Sequence, residues 1–134
     1  HIIHLMRGQV FDIQGVKIFT MGGAQSIDKQ ARKPGVTWWE RELPSAEEYE
    51  EALANLEKHN WQVDYVITHD CSEMIFNELK KRIWPFKLTN HLRIFLDNVE
   101  ERGCFKHWYF GHFHLDLKID DKHTMLYQSI LQID

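Results

Sequence analysis

"FKHWYFGHFHLD", residues 105–116, sets how the rest of the chain is read. Six mostly apolar and aromatic residues end at Gly111, and His112 and His114 follow with Phe113 between them. A short apolar run closed by glycine is the pattern of a buried strand. Histidines just past its carboxyl end stand where α/β sheets gather their sites. A second run, "VDYVIT" at 63–68, ends in the same way, on His69. Three histidines at two strand ends are therefore placed for one shared site.

Working outward, "GQVFDI" and "QGVKIFTMGG" flank a Gln14-Gly15 turn and read, with "HIIHL", as a hairpin or meander. The segment from Gly22 to Ser45 is long for a compact domain and rich in turn residues and charges, as functional loops tend to be. Ser45 followed by Glu48 makes a capping box, and Tyr49, Leu53 and Leu56 give that helix one apolar face. Helices are predicted over 73–82 and from about Asn90 to Glu101, with a break at Pro85 between them. The second turns Leu92, Phe95, Leu96 and Val99 inward and stops at Gly103, read as a C′ glycine. "LDLKI" and "TMLYQSILQI" read as two further strands. The order β-β, loop, α, β, α, α, β, β, β predicts a single α/β domain over 1–134, with a mixed sheet and helices layered on it.

With 134 residues, 43% of them hydrophobic, the chain suits one globular domain with a real core. No run of about 18 apolar residues and no charged-then-apolar leader is seen, so neither a membrane span nor a signal peptide is expected. Cys71 and Cys104 form no C-x-x-C arrangement, which fits reduced thiols and a cytoplasmic setting. A net charge of −4 argues against a broad nucleic-acid footprint. The one basic run, "KKRIWPFK" at 80–87, reads as a solvated helix face, with a substrate- or partner-facing patch as the alternative.

The histidines carry the chemistry. In extended chain an i, i+2 pair has Cα atoms roughly 6–7 Å apart, enough to flank one divalent ion or two neighbouring ones. Gly111 is expected to permit a conformation or close approach that a side chain would block. His1, His4, His59, His91, His107 and His123 read as surface or core residues.

"VDYVITHD" followed by "HWYFGHFH" resembles the fourth and fifth motifs of the calcineurin-like metallophosphoesterases. "FTMGGAQSIDKQARKPGVTWWERELPSAEEYEEALANL" is similar to the stretch between the third and fourth motifs of bacterial members. The resemblance implies that His69 and His112 are ligands of one metal and His114 of the other, the ions being Mn, Fe or Zn. It implies hydrolysis of a phosphorylated substrate at a two-metal site. There the ions lower the pKa of water and neutralise phosphate oxygens. The family's Asp-x-His, Gly-Asp-x-x-Asp and Gly-Asn-His-Asp/Glu motifs have no counterpart here, and "THDCSE" replaces the commoner T-H-x-x-P turn. The resemblance thus implies the C-terminal half of an αββα sandwich, inactive alone, with a sheet face built for the missing half or for self-association. Asp28, Lys29, Arg32, Trp38 and Trp39, between Ser26 and Glu42, are candidates for a cleft wall; no catalytic residue is assigned.

Three rivals belong to other classes. "HFHLD" resembles most of the metallo-β-lactamase signature H-x-H-x-D-H, with Leu117 in place of the last histidine; the second rival is a three-histidine zinc hydrolase using His69, His112 and His114. The third is a non-catalytic remnant that serves as an interaction module.

Overall fold

The computed structural model describes residues 2–26, 28–82 and 89–133. The expected break at Pro85 and most of the basic run lie outside the described residues. Within them, the chain is an α/β fold with a mixed six-stranded sheet and three α-helices. The strands are β1 (Gln9–Ile13), β2 (Val16–Met21), β3 (Tyr65–Thr68), β4 (His107–Phe110), β5 (Leu117–Lys118) and β6 (His123–Met125). The helices are α1 (Ala46–Lys58), α2 (Glu73–Arg82) and α3 (His91–Arg102). The sheet order is β1-β2-β3-β4-β6-β5.

β1 and β2 form the hairpin, with Gln14 and Gly15 both at positive φ and the Gly15 N–H donating to the Asp12 carboxylate. β2, β3, β4 and β6 are mutually parallel, and each crossover steps the same way along the sheet. Right-handed crossovers that never reverse direction put their helices on one face. The core agrees. Phe19, Met21, Val66, Trp108, Phe110 and Met125 share that face and form one cluster with Ala52 and Leu56 of α1, Phe76 and Leu79 of α2, and Leu92, Phe95, Leu96 and Val99 of α3. The opposite face carries Phe11, Ile18, Tyr65, Ile67, His107 and Tyr109, most of them half-buried.

Ser45 closes the predicted capping box with Glu48, and Asn90 caps α3 through the Arg93 N–H. Four expectations change. Residues 2–5 of "HIIHL" form no strand, His1 lying outside the described residues, and β3, β4 and β5 are shorter than 63–68, 105–110 and 115–119. The expected strand over 124–133 is confined to a three-residue β6, because the chain leaves the sheet to line its carboxyl edge. Gly103 keeps a negative φ of −70°; glycine is needed there because a Cβ would run into the Val99 carbonyl oxygen. No helix among the described residues is long and apolar enough to cross a membrane. Cys71 and Cys104 are both free, the first buried and the second exposed.

Candidate functional site

Four parallel strands deliver their carboxyl ends to one edge of the sheet, and the backbone ladder runs on past them. The His69 N–H donates to the Met21 carbonyl at 3.2 Å, the Gly111 N–H to the His69 carbonyl at 3.1 Å, and the Leu126 N–H to the Phe110 carbonyl at 2.8 Å. These bonds hold the His69 loop beside the start of "GHFH". His112 and His114 both adopt positive φ, 70° and 54°. Such left-handed geometry costs a non-glycine residue roughly 1–2 kcal/mol and persists only where the surroundings fix it. Gly111 is not among the positive-φ glycines, and a Cβ there would meet only ordinary contacts. The conformational demand expected of Gly111 therefore falls on the histidines.

Phe113 fixes the turn. It is buried, stacks on Phe76 at 6.0 Å and meets Phe110 edge-on at 6.1 Å, so the flanking histidines are left at the cleft. The His69 and His112 rings lie 5.4 Å apart at 68°. His114 stacks on Tyr127 at 4.8 Å. All three line a cleft of about 530 Å³ together with Ser26, Asp28, Arg32 and Glu42. Burial lowers the His112 pKa, the neighbouring His69, Arg93 and His114 add to the effect, and Asp70 opposes it. A neutral imidazole keeps a lone pair free for a metal ion or a proton.

The loop between β2 and α1 forms the facing wall. Glu42 accepts hydrogen bonds from the Ser26 hydroxyl and N–H and from the Trp38 indole. Burial alone would raise its pKa, but these bonds and the Arg32 charge outweigh it and hold the carboxyl below its usual value. Arg32 is held by Asp28 at 2.6 Å and by the Thr37 carbonyl at 3.2 Å. Of the five wall candidates, Asp28 and Arg32 reach the histidine cleft. Lys29, 4.1 Å over the Trp38 ring, lines with Trp38 an adjoining hollow of about 390 Å³. Trp39 is 57% exposed and outside both.

Three features escaped the sequence reading. Glu42 enters the cleft as its wall's hydrogen-bonding hub. Asp70, next to His69, is buried and paired with Arg93 of α3 at 2.8 Å. Asp116 accepts from the Tyr127, Gln128 and Ser129 N–H groups at 2.8, 3.1 and 3.1 Å, pinning the segment that carries Tyr127 beneath His114. Only Arg93 had a local signal, a charge one step from Leu92 on a helix whose inward residues are otherwise apolar.

As a place for a divalent ion, the cleft supplies donors of the right chemistry but an incomplete shell. Among the described residues no group of three or more His, Cys, Asp or Glu side chains is arranged to hold an ion. His69 and His112 form the nearest pair, and His114 is turned onto Tyr127. An ion held here would need ligands beyond these side chains. No protein-family model matches the chain, and no curated protein or solved structure matches it either.

Proposed function

We propose that the chain is the C-terminal portion of a calcineurin-like metallophosphoesterase, contributing His69, His112 and His114 to a site that hydrolyses phosphoric monoesters or diesters. The observation that carries the reading is convergence: histidines from the separate ends of β3 and β4 line one cleft at the carboxyl edge of a parallel sheet. Divalent ions held there, Mn, Fe or Zn, would supply an activated water and neutralise phosphate charge. His69 and His112 would serve as imidazole donors and His114 as a donor toward a second ion. Arg32 lines the same cleft, and its guanidinium, shared with Asp28, would meet a bound anion.

The family's upstream ligand motifs are absent from the sequence, so the chain is proposed to be inactive alone and completed by the missing half or by another copy. The half-buried aromatic sheet face opposite the helices supports that: in the αββα sandwich such a face meets a second sheet. The free cysteines support a reducing, cytoplasmic setting.

The metallo-β-lactamase rival needs Asp116 near the metal. Its carboxylate instead receives three backbone N–H groups and does not line the cleft, which favours the phosphoesterase reading. The interaction-module rival is separated by experiment. Hydrolysis of p-nitrophenyl phosphate and its bis ester is assayed with Mn²⁺ or Zn²⁺, for the chain alone and for the chain joined to the residues encoded upstream. No turnover alone, with turnover in the joined protein that His112→Ala abolishes, is the expected outcome. A folded joined protein that turns over neither ester, or does so equally well as His112→Ala, contradicts it.

A further inference from the structure

We propose that the buried Asp70–Arg93 pair is a positioning device that sets the His69 loop and the His112–His114 turn against each other; the inference rests on the histidine cleft being the working site. Asp70 is fully buried and Arg93 is 3% exposed, with Nε and Oδ2 at 2.8 Å. The other Asp70 carboxylate oxygen accepts the Cys71 N–H at 2.9 Å. Its carbonyl accepts the Thr68 hydroxyl, which in turn accepts the Trp108 indole N–H at 2.8 Å. The residue after His69 is thereby tied to β3, to β4 and to α3.

Arg93 extends the tie to the second loop. Its guanidinium lies 3.6 Å over the Phe76 ring and 5.8 Å from the Phe113 ring, and Phe113 stands between the two strained histidines. One partner of the pair thus adjoins His69 in sequence, and the other lies over Phe76, on which the anchor of His112 and His114 stacks. Helix stability does not explain the arginine. It occupies the first turn of α3, where the helix dipole disfavours a cation. Nor does core stability, since well-packed apolar residues commonly replace a buried ion pair without loss. What the pair supplies that apolar residues do not is a directional link between the two loops.

The test measures geometry in the metal-free chain. In the wild type, nuclear Overhauser contacts between the His69 and His112 rings are expected from their 5.4 Å separation. The variants are Asp70→Asn/Arg93→Met, which removes both charges together so that neither is stranded, and Phe113→Leu, which uncouples the loop from Arg93 but leaves the pair intact. Leu96→Ala serves as a core control of lowered stability. The proposal expects the ring contact to be lost in the first two and kept in the control, with Zn²⁺ affinity falling at least tenfold in the same two. A folded double variant that keeps the contact at wild-type strength overturns it. If the wild type takes up no Zn²⁺, the metal reading falls, while the ring contact still decides the positioning role.

Discussion

His123 gives a quantitative pH prediction. Its ring is 3% exposed, with Nε2 at 3.0 Å from Glu100 and Nδ1 at 2.9 Å from Asp120. A neutral imidazole has one N–H and can satisfy only one of two carboxylates, so this geometry belongs to the imidazolium. Burial pulls the His123 pKa down, but the hydrogen bonds and charges of Glu100 and Asp120 win and raise it above its ordinary value. A histidine pKa raised in the folded state contributes stability that is complete below the unfolded value, about 6.5, and is lost as pH rises through the folded value. A hydrogen bond to a charged group is worth about 1.5–3 kcal/mol; the bond to Glu100 counts nearly in full, whereas half-exposed Asp120 adds about 0.5 kcal/mol. Burial, the largest single effect, opposes these bonds, so the net gain is smaller than their sum. His107 and His112 work the other way, because burial lowers both pKa values and their contribution is lost as pH falls. The raw profile therefore mixes opposite signs. Urea unfolding followed by tryptophan fluorescence, for wild type, His123→Gln and Glu100→Gln across pH 5.5–9, isolates the effect. The stability gap between wild type and His123→Gln should be widest at the acid end and shrink as pH rises. A gap that is flat or widens with pH refutes the reasoning.

Other perturbations test separate parts of the account. Ser45→Ala removes the α1 cap and should cost about 1 kcal/mol, seen as a fall of about 3 °C in the melting midpoint. Gly103→Ala drives a methyl into the Val99 carbonyl and should lose about 2–3 kcal/mol in urea. Phe76→Ala opens the core beneath both Phe113 and Arg93 and should cost about 3–5 kcal/mol. Asp116→Ala should speed amide hydrogen exchange at Tyr127–Ser129 while leaving Val66 and Trp108 protected.

Period and capping made much of the architecture legible. The Gln14-Gly15 turn, the Ser45–Glu48 box and the inward face of α3 each follow from residues a few positions apart, and local rules suffice there. The strand-end placement of His69, His112 and His114 was legible too, since an apolar run ending in a polar residue marks its own edge. What connects those ends was not. Asp70 meets Arg93 across 23 positions, and Asp116 meets its partners 11–13 positions away, so no short-range pattern announces either. Strand lengths were overestimated because Phe105 and Val63 are buried like strand residues while lying before the paired register of β3 and β4. Gly111 was expected to host the special conformation or close approach, because glycine is the usual host; buried Phe113 instead holds two histidines at positive φ.

The proposed metal site has His69 and His112 as its nucleus and His114 as an outlying donor. Calorimetric titration of the metal-free chain with Zn²⁺ and Mn²⁺, alongside His69→Ala, His112→Ala and His114→Ala, tests it directly. Saturable uptake of about one ion or less per chain is expected, abolished in the first two variants and weakened in the third. No uptake of either ion by the wild type, or uptake unchanged in all three variants, contradicts it.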